Sequence, residues 1–98
     1  MKFNIHILLY SEEDIQVAHC LEFDLVAQGK RKIEALRNLF DAIDMQINFA
    51  LENNDLASLF TPAPAEYWKM LANAKRYNHK PKGRTSSFIS NLDCSYVA

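Results

Sequence analysis

"VAHCLEFDLVAQGKRKIEAL", Val17–Leu36, is the stretch whose reading decides the fold. Two short apolar runs flank a turn that carries Glu22 and Asp24. Gly29 and three basic residues, Lys30, Arg31 and Lys32, then lead into a stretch with helical periodicity. Upstream, Phe3, Ile5, Ile7 and Leu9 alternate with Asn4, His6, Leu8 and Tyr10, the period of two of a strand with one buried face. Ser11 to Asp14 is a polar turn, and Ile15 to Cys20 reads as a second strand antiparallel to the first. Leu21-Glu22 is a tight connection into a third strand, Phe23 to Gln28. Gly29 closes the meander where the backbone is expected to need a positive φ or a sharp redirection.

From about Arg31 the period changes. Ile33, Leu36, Phe40, Ile43, Ile47 and Leu51 recur at steps of three and four, widened by Leu39 and Ala50, and form one stripe of a long amphipathic helix. Asn53-Asn54 is its expected stop. Its start is unusual, because Lys30, Arg31 and Lys32 stand at the positive end of the helix dipole and no Ser, Thr, Asp or Asn is placed as a cap. Thr61-Pro62-Ala63-Pro64 is a break, and Pro64 suits the first turn of a second helix over about Ala65–Arg76. Tyr77–Ser87 reads as a basic loop, and Ser87–Val97 as a candidate fourth strand. The fold class expected is α+β: a three-stranded antiparallel meander, a long amphipathic helix, a short second helix and a C-terminal strand. Its core lies in residues 1–54, with a basic extension over 61–98.

The chain has 98 residues, 49% of them hydrophobic, with two glycines and three prolines, which suits one small globular domain. No apolar run approaches the roughly 18 residues of a membrane span, and Met1–Ile5 lacks the layout of a signal peptide. The expected location is therefore the cytoplasm, with Cys20 and Cys94 as free thiols. The net charge of −1 hides an asymmetry. Residues 1–60 carry 10 acidic and 5 basic side chains, and residues 61–98 carry 2 and 6. Such polarity bears on partners rather than on fold.

The residues that bear chemistry are few. Clustered carboxylates such as Asp14, Glu22 and Asp24 can hold two metal ions in a nuclease, but solvated turn residues are the simpler reading. His19 and Cys20 are adjacent, so on a strand they point to opposite faces and cannot share a metal or form a nucleophile–base pair. His6, His79 and Cys94 are scattered, and no metal or cofactor is expected. Tyr67 and Trp68 fit the core. The basic residues around and after them, Lys69, Lys75, Arg76, Lys80, Lys82 and Arg84, could bind phosphates, with aromatics to stack on bases.

The pattern over Val17–Ile43 resembles the N-terminal domain of HicB-type antitoxins. The matching residues are Val17, Ala18, Cys20, Leu21, Glu22, Asp24, Gln28, Gly29, Glu34, Ala35, Leu36, Asn38, Ala42 and Ile43. The resemblance implies a partial RNase-H-like core, here a meander and helix completed by a later strand. It also implies a non-catalytic, oligomeric protein that covers the RNA-cleaving surface of a small basic HicA-type toxin. The meander edge and the acidic turns, with Asp14, Glu22 and Asp24, would carry that contact. Arg31 stands near the place where the family usually begins the helix with Thr or Ser. The region after Asn54 does not read as a helix-turn-helix, which needs two helices joined by a short turn. The alternatives are a nucleic-acid-binding protein acting through residues 67–84 and a stand-alone protein of this fold without a toxin.

Overall fold

The computed structural model describes residues 3–78 and 89–97. β1 (Phe3–Glu12), β2 (Ile15–Cys20) and β3 (Leu25–Gly29) form the meander, followed by α1 (Lys32–Glu52). A single 3₁₀ turn at Leu56–Leu59 leads to α2 (Ala65–Ala72), β4 (Lys75–Arg76) and β5 (Ile89–Tyr96). The five strands lie in the order β3-β2-β1-β5-β4. β5 runs parallel to β1, and the other pairs are antiparallel. The architecture is α+β, as the periodicities predict.

Several boundaries differ from the sequence reading. Phe23 and Asp24 belong to a four-residue turn rather than to β3. The strap after α1 holds that turn: Thr61 N–H donates to the Glu22 carbonyl at 3.0 Å, and Ala63 N–H to the Leu21 carbonyl at 2.8 Å. α2 stops at Ala72, where the Asn73 N–H folds back on the Met70 carbonyl and the chain turns. Lys75 and Arg76 are therefore strand residues, paired with Tyr96 and Ser95. Tyr77, in the irregular segment after β4, packs edge-on against Tyr96. The last strand lies inside the sheet, between β1 and β4, because residues after α1 return to pair with β1. Most of the proposed basic loop, residues 79–88, lies outside the described residues.

α1 covers one face of the sheet. Ala35, Leu36, Leu39, Ile43, Ile47 and Ala50 are its buried side, set against Phe3, Ile5, Ile7, Leu9, Ala18, Cys20 and Cys94. Leu51, expected in the stripe, is exposed at the helix end. Ile7 is paired with Cys20 on one side and Cys94 on the other. The two thiols are thus two strand spacings apart, about 9–10 Å, beyond the roughly 7 Å that a disulfide tolerates. Burial pushes the Cys20 thiol up to about 12, so it behaves as a small apolar group.

Gly29 has a different reason from the one expected. Its φ is not in the left-handed region, but a Cβ there would stand 2.6 Å from the Ala35 amide nitrogen and 2.8 Å from the Glu34 Cβ. Gly29 is the point at which the first turn of α1 rests on the sheet. Just beyond it, Asn38 Nδ2 donates to the Gln28 carbonyl at 2.8 Å. Four residues of the family-like pattern, Gln28, Gly29, Ala35 and Asn38, thus serve one junction.

α2 and its strap cover part of the other face. Leu8, Leu21 and Ala63 form a second buried cluster with Tyr10, Tyr67, Trp68, Met70 and Leu71 around it. Trp68 Nε1 donates to the Ala63 carbonyl at 3.1 Å and ties helix to strap.

Candidate functional site

The acidic residues singled out in the sequence fall into two places. Glu12, Glu13 and Asp14 are exposed at the tip of the β1–β2 hairpin. Glu12 pairs with Ile15, so Glu13 and Asp14 form a two-residue turn, with φ of 48° and 67°. Positive φ at both central residues is the geometry that suits the twist of a hairpin and that Asn-Gly adopts at least cost. An ordinary side chain in this region costs about 1–2 kcal/mol.

Glu22 and Asp24 lie at the opposite end of β2, about 20 Å away along six strand residues. Asp24 is an exposed turn residue, but Glu22 is not a solvated turn carboxylate. Glu22 is 6% exposed. Its Oε1 accepts the His6 backbone N–H at 2.7 Å, and its Oε2 meets His6 Nδ1 at 2.6 Å. His6 Nε2 lies 3.9 Å from Asp93 Oδ2, and Arg76 Nη2 donates to Asp93 Oδ1 at 3.5 Å. A chain of polar groups therefore runs Glu22–His6–Asp93–Arg76 across three strands and the turn.

A second chain lies beside it. His19, only 2% exposed, meets Asp24 Oδ1 through Nε2 at 2.7 Å and the Tyr10 hydroxyl through Nδ1 at 3.2 Å. Tyr67 from α2 stacks on Tyr10 and meets His19 edge-on, with ring centroids 4.6 Å apart. Asp24 has a φ of 52°, so its backbone is strained where its carboxylate holds a buried imidazole. Burial, and then the neighbouring Tyr67, push the Tyr10 hydroxyl up to about 12. That hydroxyl stays protonated and is no nucleophile at neutral pH.

His6, unlike His19, reaches an open recess, lined also by Leu71, Ala74, Arg76, Asp93, Cys94 and Ser95. A carboxylate behind one ring nitrogen and a recess before the other is the layout of a general base. No hydrogen bond joins Ser95 to His6 among the described residues. Among the described residues no group of three or more His, Cys, Asp or Glu side chains is placed to hold a metal ion. His19 and Cys20 do point to opposite faces, one under α2 and one under α1.

The basic residues are only partly brought together. Lys69 on α2 and Lys75 and Arg76 on β4 are exposed, and Arg76 is paired with Asp93. Lys80, Lys82 and Arg84 lie outside the described residues. At the start of α1 the three basic side chains diverge. Arg31 Nε donates to Glu34 Oε1 at 3.0 Å and lowers that carboxyl below its ordinary value. The Lys32 ammonium lies 5.7 Å from the centre of the Tyr96 ring. The helix start has no side-chain cap, as the sequence suggests.

The two histidine–carboxylate chains were not read from the sequence. A signal for them exists: Ile7-Leu8-Leu9 is apolar without alternation, which marks a strand buried on both faces. His6 and Tyr10 flank Leu8 at a spacing of two, so they lie on the second covered face and need partners there.

Comparison with protein-family models, curated proteins and solved structures finds no match to this chain. No helix among the described residues is long and apolar enough to cross a membrane.

Proposed function

We propose that the chain is a non-catalytic, HicB-like binding protein that neutralises a small basic HicA-type RNA-cleaving toxin. The observation that carries this reading is the acidic hairpin tip. Glu13 and Asp14 occupy positive-φ positions that Asn or Gly would fill at lower cost, and Glu12 adds a third exposed charge. Carboxylates kept at a strained, exposed turn are an economical contact for a basic surface. Asp24 holds His19 through Oδ1 and Glu22 is occupied by His6, so the tip is the larger contributor. The family-like pattern over Val17–Ile43 supports the same reading.

The experiment is a binding titration with a small basic RNA-cleaving toxin encoded beside this chain, together with an RNA-cleavage assay. The expected result is a complex that blocks cleavage and weakens at higher salt. Glu12→Gln/Glu13→Gln/Asp14→Asn is expected to weaken it by about tenfold or more, mainly through association rate. Absence of a complex with cleavage unimpeded would remove the antitoxin role.

A second reading, nucleic-acid binding, is favoured by the exposed adjacent pair Lys75 and Arg76 with Lys69. Mobility shifts with DNA and RNA at two salt concentrations test it, since phosphate contacts are lost steeply as salt rises. Unchanged binding in Lys75→Ala/Arg76→Ala would remove these residues from that role.

A further inference from the structure

The recess beside His6 is built on three adjacent strands. β1, β5 and β4 are neighbours in the sheet, and their registers set His6 beside Asp93 and Arg76 beside Ser95. Alternation along β5 puts Asp93 and Ser95 on one face and Cys94 on the other, where its thiol joins the cluster under α1. Two side chains at the recess are each turned by a partner. Glu22, itself buried, holds His6 through Nδ1 at 2.6 Å, and Arg76 Nη2 holds Asp93 through Oδ1 at 3.5 Å. Each keeps its second ligating atom, His6 Nε2 and Asp93 Oδ2, and these two atoms stand 3.9 Å apart. A hydrogen bond needs about 2.7–3.2 Å, so the pair is not joined by one.

We propose that His6 Nε2 and Asp93 Oδ2 bind a divalent first-row transition ion of the zinc type. Metal-bound histidines give their other ring N–H to a carboxylate, and metal-bound carboxylates are themselves hydrogen-bonded. Such partners fix the ring and the oxygen that meet the ion. Glu22 and Arg76 hold those two places here. The spacing is close to what an ion needs. Zinc bonds of about 2.0–2.2 Å at a tetrahedral angle set a nitrogen and an oxygen about 3.4 Å apart, so a shift of about 0.5 Å in the exposed Asp93 side chain closes the pair on the ion. The local charge has the sign for a cation, because the carboxylates of Glu22 and Asp93 outnumber the guanidinium of Arg76. An imidazole with a carboxylate suits zinc, nickel or copper, whereas magnesium and calcium take oxygen ligands.

Two protein ligands fill half of a tetrahedral shell. The other positions open toward the recess, beside Ser95, Leu71 and Ala74, and take water. Two ligands are fewer than a structural zinc site uses, so the ion exchanges with solution and the fold does not depend on it. Strands rather than loops carry both ligands, which keeps the pair in register. No spacing motif signals the pair, since its members come from opposite ends of the chain. The inference is independent of the antitoxin reading, because it concerns the chain by itself and does not use the hairpin tip.

The test uses the full chain and the metal alone. Zinc titrated into the chain by calorimetry is expected to bind with one-to-one stoichiometry. Trp68, the only tryptophan, has its ring 6.0 Å from the His6 ring, so nickel is expected to quench its fluorescence and zinc to reverse the quench by competition. Asp93→Asn, an exposed change, and His6→Gln are each expected to raise the zinc dissociation constant by about tenfold or more, with the circular-dichroism spectrum unchanged. Absence of zinc uptake overturns the proposal. So does uptake that either folded variant leaves unchanged, or nickel binding that leaves the Trp68 fluorescence unaltered. If His6→Gln fails to fold, Asp93→Asn and the Trp68 signal decide.

Discussion

The two faces of this sheet are buried by different means. Under α1 the contact is apolar throughout, with Ile7 between two thiols and the helix stripe closing over them. Under α2 an apolar patch of Leu8, Leu21 and Ala63 is surrounded by imidazoles, carboxylates and tyrosines that satisfy one another. The first face is held by area removed from water, which is tolerant of direction. The second is held by hydrogen bonds that tolerate no missing partner. A small domain can therefore cover a second face with a helix of only eight residues, provided each polar group beneath it is paired.

The largest effect is expected where that contrast begins. Ile7→Ala removes a fully buried side chain from the centre of the apolar face and should cost about 3–4 kcal/mol in urea unfolding. A loss below about 1 kcal/mol would mean that this face can collapse around the cavity, unlike a close-packed core. Gly29→Ala tests the junction of helix and sheet. The added Cβ meets the Ala35 backbone at 2.6 Å, and the expected cost is about 2–3 kcal/mol, read as a lowered melting temperature.

On the other face, Glu22→Ala strips the acceptor from the His6 backbone N–H and from its ring. The expected loss is about 2 kcal/mol, with Glu22→Gln recovering part of it by keeping an acceptor for the backbone N–H. If Gln and Ala cost the same, the hydrogen bond to the backbone is not what Glu22 supplies.

Raising the pH separates the faces again. The Cys20 thiol is raised from 9.0 to about 12, so the folded chain holds that proton longer than the unfolded one. Its contribution is complete below pH 9 and is lost as pH rises toward 12. Tyr10, raised from 10.0 to about 12, adds the same sign from pH 10 upward. Melting temperature should therefore begin to fall above pH 9 through the apolar face alone, and Cys20→Ala should delay that fall by about one pH unit. The smallest effect is expected at Arg31→Ala, since its pair with Glu34 is exposed, and the melting temperature should not change measurably.

Much of the fold was legible. The period of two in Phe3–Tyr10, the polar turn at Ser11–Asp14 and the change to steps of three and four after Arg31 place three strands and the long helix close to their observed bounds. The short strand Lys75–Arg76 was not legible, because two basic residues carry no period and their pairing depends on where β5 lies. The candidate site was read only in part. Asp14 is exposed where its turn suggests, but Glu22 and Asp24 looked like free turn carboxylates. Glu22 meets its imidazole across the fold, 16 residues away at His6, and Asp24 meets His19 five residues away across the turn.

The sequence by itself determined the order of elements, the apolar stripe of α1 and the opposite orientations of His19 and Cys20. These follow from periodicities that act within one element, where neighbours in the chain are neighbours in space. Only the tertiary structure decided that β5 enters beside β1, that Gly29 is demanded by the Ala35 backbone, and that Glu22 is an internal partner rather than a surface charge. Those outcomes depend on pairs distant in sequence, whose meeting is fixed by how the faces are covered and not by any local preference.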